Sequence, residues 1–204
     1  VLDKLENYAG SITSMSKIYA MMEQSEPYII LVLDTLIFQK LPEVYTIGFA
    51  YPEIVRLHLN TLINEPRPAA YLDYLDKFYK KPLNNHKHKF PDWFIVHPDS
   101  SANNSLVMVR HPFLVTAIYE EILSKFTSKD LDDIGAMFIE QFLLYFYLKN
   151  HNIDVGYFAD NRVVPNTINY ELVMHKFIHM MDYHEDDMLH EKIEYISKLY
   201  NIKL

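Results

Sequence analysis

The amino-acid sequence predicts an all-α or mainly α protein, with several helices packed around one central helix. Glycine is scarce, with four residues in 204, and proline stands mostly where a helix can begin. Residues 128–150 combine a clear helix start with a long apolar body. Half of the chain is apolar, which is enough for a substantial core, so we expect residues 1–204 to form a single domain.

Residues 128–150 are predicted to be the central helix. Thr127 or Ser128 can cap its first amides, and the aspartates that follow place negative charge at the positive end of the helix dipole. Helical spacing puts Ile134, Phe138, Gln141, Phe142, Tyr145 and Leu148 on one face. The remaining narrow polar stripe, which we expect to face solvent, consists of Lys129, Asp133, Glu140, Tyr147 and His151.

Apolar residues at spacings of three and four predict the other helices. These cover residues 3–24, 27–40, 52–65, 68–81, 111–126 and 166–200. Pro27 and Pro52 suit the first position of their helices. In 27–40 the apolar core is short and partly β-branched, so a strand is the competing interpretation for that segment.

Residues 82–105 form an irregular insert, with paired asparagines, three prolines and no helical spacing. Within residues 93–109, Trp93 to Val96 and Leu106 to Val109 could pair as a small β-hairpin around the loop between them. A long loop inside a compact domain is commonly functional or disordered, which makes the insert a candidate binding region.

Several functional classes are excluded or disfavoured. The chain has no cysteine, so disulfides, thiolate metal sites and cysteine nucleophiles are excluded. The four glycines are isolated, and no dinucleotide-binding, phosphate-loop, nucleophile-elbow or zinc-protease motif occurs. We therefore predict no catalytic residues and no cofactor.

The apolar runs are too short for a transmembrane segment, since a bilayer needs about 20 residues. Residues 1–24 lack the apolar stretch of a signal peptide, which predicts a cytoplasmic protein. Lysine outnumbers arginine by 15 to 4, a bias typical of an AT-rich genome such as that of many viruses.

The richest polar cluster lies in the predicted helix over 166–200. His175, His179 and Asp182 would stand at i, i+4 and i+7 and point the same way. Two imidazoles and a carboxylate are suitable ligands for a divalent metal ion, which gives metal-dependent hydrolysis as one alternative function. The opposite face is apolar, so the competing interpretation is a solvent-facing polar stripe.

The insert also carries a run of lysines beside aromatic residues. Single-stranded nucleic acid is bound by such combinations, because cations contact phosphates while aromatic rings stack on bases. The predicted nucleic-acid residues are Lys80, Lys81, Lys87, Lys89 and Trp93, with Lys77 and His86 nearby. The net charge of −8 disfavours this alternative, since the overall field repels phosphate.

The favoured function is a non-catalytic interaction or assembly subunit, an adaptor that acts through protein–protein surfaces. Catalytic motifs are missing, whereas Tyr, Phe and Met, which are enriched at interfaces, are abundant at 16, 12 and 9 residues. We therefore expect a protein partner or a homo-oligomer.

Overall fold

The fold mixes helices with a four-stranded mixed sheet, so the predicted all-α or mainly α class is wrong. The computed structural model describes residues 12–32, 35–37, 40–41, 46–50, 52–54, 73, 76–92, 94, 100–127, 129–130, 133–158, 177–179, 194 and 197–198.

Helices and strands are interspersed along the chain. In order they are α1 (Ile12–Met22), β1 (Tyr28–Leu31), β2 (Thr35–Ile37), β3 (Ile47–Phe49), β4 (Pro52–Ile54), a π-helical segment (Asp76–Lys80), α2 (Lys81–His86), a 3-10 helix (Lys87–Lys89), β5 (Ser100–Ala102), β6 (Leu106–Val109), α3 (Pro112–Leu123), α4 (Asp133–Met137), a second π-helical segment (Phe138–Leu143), α5 (Leu144–Asn150), β7 (Val155–Tyr157) and β8 (Phe177–His179). Residues 133–150 are continuous, and we call them the central helix.

The main sheet has the strand order β1-β6-β3-β7. β6 pairs antiparallel with both β1 and β3, whereas β7 pairs parallel with β3. Two short antiparallel pairs, β2 with β8 and β4 with β5, complete the β structure of the described ranges. All four residues of β6 are buried, which explains its uninterrupted apolar sequence, because a central strand is covered on both faces.

The helix predicted over 27–40 is wrong, and the competing strand interpretation is correct where the segment is described. The run divides into β1 and β2, and the amide of Thr35 donates to the carbonyl of Val32 at the bend between them. Isoleucine is β-branched and packs well on a pleated surface, so its helical propensity is overridden once β6 is available as a partner.

Two other sequence predictions in the β regions are also wrong. The start of the helix predicted over 52–65 is β4, and the antiparallel partner of β4 is β5, which lies inside the insert. The proposed 93–109 hairpin does not form as expected, because β6 pairs with β1 and β3. Both partners of β6 are distant in sequence, so local periodicity carries no information about them.

The helix predicted over 111–126 is found as α3, and the one predicted over 128–150 is found as the central helix, which is described from Asp133 on and follows a turn at residues 129–130. α3 begins at Pro112, and the central helix ends at Asn150. Asn152 adopts a left-handed conformation with φ of 54°, and Ile153 donates to the carbonyl of Leu148 at 2.9 Å. This is a Schellman-type helix end, in which asparagine tolerates the positive φ better than most non-glycine residues.

The main core lies between one face of the sheet and the helices α1, α3 and central. Met15, Ile18 and Met21 of α1 are all buried there, at the three-residue spacing of a helix face. Val107 and Val109 of β6 point into this core, while Leu106 and Met108 point to a smaller cluster on the other face of the sheet. The alternation follows the two-residue period of a strand.

The prediction of a solvent-facing polar stripe on the central helix is wrong for Glu140 and Tyr147, which are both buried. Phe94, from the insert, packs on Tyr147 with ring centroids 5.0 Å apart. Lys129 and His151 are exposed, as expected. The stripe is covered because the insert and α1 fold over it, which local sequence does not reveal.

Glu140 is held by an ion pair and an amide. Its Oε1 lies 2.7 Å from Nζ of Lys17 in α1, and the side chains of Lys17 and Glu140 are only 16% and 7% exposed. Nδ2 of Asn104, in the turn between β5 and β6, donates to the same Oε1 at 3.0 Å. Lys17 also donates to the backbone carbonyl of Asn104. This buried network therefore joins α1, the β5–β6 turn and the central helix.

We expect strong coupling between Lys17 and Glu140 in the free energy of unfolding. Lys17→Met leaves the Glu140 carboxylate buried without its cation, and should destabilise the protein by about 3 kcal/mol. Adding Glu140→Gln removes the charge but keeps the acceptor for Asn104, so the double variant should recover most of the loss. Urea unfolding of both single variants and the double variant measures the coupling.

The matched control for this cycle is Lys198→Met, which breaks an exposed i,i+4 pair between Lys198 and Glu194. Its effect should stay within about 0.5 kcal/mol. Additive effects of Lys17→Met and Glu140→Gln would contradict the assignment of a structural ion pair.

Candidate anion-binding cleft

A cleft of about 300 Å³ opens between the lysine-rich helical segment and the start of the central helix. The first wall comes from the Asp76–Lys80 π segment and α2, and the second from the turn before α4 and from α4 itself. The lining residues are Lys77, Lys81, Pro82, Asn85, His86, Lys129, Asp130, Ile134 and Gly135.

Three lysines from separate elements converge on this cleft. Lys77, Lys81 and Lys129 are all exposed at its mouth. Lys81 lies 3.1 Å from Asp76, but both side chains of that pair are well exposed, so the attraction is weak and easily exchanged for another anion. The cleft therefore concentrates positive charge in a chain whose net charge is −8.

The negative charge of Asp130, the carboxylate that lines the cleft, is already balanced by a neighbouring cation. Its Oδ2 accepts a hydrogen bond from Nζ of Lys89 at 2.8 Å. The same oxygen accepts from the backbone amide and the hydroxyl of Thr127, at 2.7 and 2.8 Å. The hydrogen bond from Lys89, followed by that from the Thr127 amide, holds the pKa of Asp130 well below its usual range. Asp130 thus stays ionised and paired with Lys89.

Lys89 and Asp130 also fix the distance between the two walls. Lys89 donates to the carbonyl of Lys125 at 3.2 Å, and its ammonium lies 5.0 Å from the ring centroid of Phe126. His86 packs edge-on against Phe126, and its Nδ1 is 3.9 Å from Oδ1 of Asp130. These contacts therefore hold the 3-10 helix after α2 against the turn that precedes the central helix.

The structure separates the residues predicted for nucleic-acid binding. Lys81 lines the cleft, whereas Lys80 and Lys87 are exposed outside its lining. Lys89 is part-buried in the ion pair with Asp130. Trp93 lies outside the described residues.

Most of the aromatic residues near these lysines face the core, and the half-buried ring of Phe78 has the Lys77 ammonium 4.7 Å from its centroid. Tyr79 is buried and stacks on Phe142 of the central helix with centroids 4.7 Å apart. Phe90 stacks on Phe94 at 4.8 Å, and Phe94 is buried as well. In the described part of the insert, these rings therefore stabilise the fold and do not offer a stacking surface for bases.

The predicted metal cluster stays a prediction. His179 lies in β8, so the helix predicted over 166–200 is wrong at that position and the i, i+4, i+7 geometry loses its basis. His175 and Asp182 lie outside the described residues. Within the described ranges, no three histidine, aspartate or glutamate side chains are arranged to hold a metal ion.

Two features of the cleft escape sequence reasoning. Lys129 is far from the other lysines in sequence, and the sequence pattern places it at the start of a helix. Asp130 likewise reads as a helix-dipole residue, whereas its actual role is to accept from Lys89 and Thr127. The packing of the Asp76–Lys80 π segment against the central helix, where Tyr79 stacks on Phe142, brings these residues together.

Comparisons with known proteins give no assignment: no protein-family model matches the sequence, and neither a curated protein nor a solved structure matches the chain. Within the described ranges, no helix has the length and apolarity needed to cross a membrane.

The Lys89–Asp130 pair should make the stability of the protein sensitive to acid. Because the pKa of Asp130 is lowered in the folded state, its stabilising effect is complete above the ordinary carboxyl pKa of about 4 and is lost as the pH falls further. Urea unfolding between about pH 6 and about pH 2.5 should show this loss in the parent protein.

Lys89→Met should lower the stability at neutral pH and flatten its dependence on acid, because the main cause of the lowered pKa is then absent. Lys87→Met changes an exposed lysine of the same 3-10 helix and is the matched control. If the free energy of unfolding falls with pH equally in Lys89→Met and in the parent, the Lys89–Asp130 pair is not the cause of the acid sensitivity.

Proposed function

We propose that the protein is a non-catalytic binding protein that holds an anionic group in the cleft. The observation that supports this is the convergence of Lys77, Lys81 and Lys129 beside a carboxylate whose charge is already compensated by Lys89. An anion entering the cleft would meet cations from both walls and would not have to displace a buried partner.

The chemistry of the lining favours binding over catalysis. The described lining residues include no hydroxyl or thiol side chain, so they supply no serine-type nucleophile. Asp130 is engaged by Lys89 and Thr127 and is poorly placed to activate His86 as a base. The asparagine amide of Asn85 and the three ammonium groups are suited to hold an oxyanion.

We expect pyrophosphate, used as a simple probe, to bind to the cleft in a salt-sensitive way. Replacing Lys77, Lys81 and Lys129 together by alanine should weaken the binding by about tenfold or more, because each ammonium contributes at short range. The matched control is Lys80→Ala/Lys87→Ala, which removes two exposed lysines outside the lining. Calorimetric titration at low and high salt measures both effects, and equal affinities for the two variants would refute the cleft as the site.

A second candidate function is assembly through the edge of the sheet, as expected from the abundance of interface-type residues. β1 is an edge strand of the main sheet, and among the described ranges β6 is its only strand partner. Ile29 and Leu31 are 46% and 44% exposed on one face of β1. Exposed apolar residues on an edge strand are typical of a site for strand addition.

The occupant that fits this edge best is a second copy of the chain. In an antiparallel pairing centred on Ile30, Ile29 would lie opposite Leu31 of the second copy, and Leu31 opposite its Ile29. Each apolar side chain would then face an apolar side chain. The pairing would extend the sheet across both copies and bury Ile29 and Leu31.

If this pairing occurs, Leu31→Lys should convert a dimer into a monomer, because a charge on the edge strand opposes strand addition. Phe113→Lys is the control, since Phe113 is 75% exposed but lies on α3. Light scattering should show that salt favours the dimer, because each copy carries a net charge of −8. A parent protein that remains monomeric at high concentration and high salt would refute the assembly function.

A further inference from the structure

We infer that the ligand of the cleft is a small organic phosphomonoester, with its phosphate held by the lysines and its uncharged body resting on Pro82 and Ile134. This inference rests on the proposed anion-binding function and adds the chemical class of the ligand. It is carried by the shape and the two-part lining of the cleft, and by the orientation of the aromatic residues around it.

The size of the cleft suits a small molecule. Its volume of about 300 Å³ is at the lower end of the range for small-ligand sites, and a strand of nucleic acid would need an extended groove. The two lysines that could continue the track, Lys80 and Lys87, lie outside the lining, and Lys89 is occupied by Asp130.

The lining has a charged part and an uncharged part. Lys77, Lys81 and Lys129 supply three ammonium groups, and a phosphomonoester carries a charge of about −1.5 to −2 at neutral pH. Pro82, Ile134 and Gly135 line the cleft beside them without charge, and Ile134 is the one of the three that is not buried. Such a site distinguishes an organic phosphate from inorganic phosphate, because only the former gains from contact with the uncharged surface.

Base stacking, which gives single-strand binders much of their affinity, has no support among the described residues of 76–94, where the Phe78 ring already contacts the Lys77 ammonium. Tyr79 and Phe94 are buried, and Phe90 is stacked on Phe94. The net charge of −8 also opposes a long polyanion. A single phosphate is affected less, because it lies within a Debye length of about 8 Å of the three ammonium groups while distant charges are screened.

The test compares four probes by calorimetric titration of the full chain at about 0.15 M salt. The probes are inorganic phosphate, glucose 6-phosphate, thymidine monophosphate and an oligothymidylate of about twelve residues. We expect at least one phosphomonoester to bind about tenfold more tightly than inorganic phosphate, and the oligothymidylate to bind no more tightly per phosphate than thymidine monophosphate.

Two variants test which part of the lining holds each part of the ligand. Lys81→Ala/Lys129→Ala should weaken phosphate and phosphomonoester alike, by about tenfold. Ile134→Ser should weaken the phosphomonoester by several-fold and leave inorganic phosphate unchanged, since it alters only the uncharged surface. Circular dichroism and the urea midpoint of each variant verify that it is folded.

The outcomes separate the two proposals. If neither inorganic phosphate nor any ester binds, or if the lysine variant binds as the parent does, the anion-binding function itself is overturned. If phosphate binds through the lysines but the esters gain nothing from Ile134, or if the oligothymidylate binds more tightly per phosphate than the monophosphate, only the assignment to a small phosphomonoester is overturned.

Discussion

The ion pair between Lys17 and Glu140 is the interaction on which the arrangement of the layers depends. Removing two charges from water is expensive, and the loss is offset here only because the carboxylate also accepts from Asn104. The ammonium likewise has a second acceptor, the carbonyl of Asn104. Because apolar packing alone is tolerant of small shifts, these directional bonds fix where α1 and the end of the sheet meet the central helix.

A second charged pair fixes the cleft in the same way. Lys89 and Asp130 hold the 3-10 helix after α2 against the turn before the central helix, and both side chains are largely covered. Lys77, Lys81 and Lys129 are exposed instead. Around the cleft, the charges therefore divide into a covered pair that positions the elements and solvent-facing lysines that are open to a ligand, of which Lys81 makes only a weak, exposed contact with Asp76. The second group depends on the first for its geometry.

The sequence predicts those parts of the fold in which local signals agree. The central helix and α3 have proline or aspartate at their starts and sustained helical spacing, and both are found where expected. For β1 the local signals offer a strand as an alternative, and for β6 they predict one, but they do not predict that the two pair, because the partners are remote in the chain. For the cleft, the local run of lysines and aromatic residues indicates Lys77 and Lys81. Lys129 joins them only through tertiary packing. Tyr79 and Phe94 likewise lie in the core because of tertiary packing.

The π-helical segment Phe138–Leu143 has a consequence for how this chain can change over evolution. A π turn contains one residue more than an α turn, so the central helix holds the equivalent of a single inserted residue. Losing one residue there would restore a regular α-helix and leave the two halves facing almost as they do now, because the π turn absorbs the extra residue. Losing one residue between Leu143 and Tyr147 would instead rotate one half relative to the other by about 100°. Either Glu140 would then turn away from Lys17 or Tyr147 from Phe94. In true relatives, a one-residue gap in the central helix should therefore fall within Phe138–Leu143.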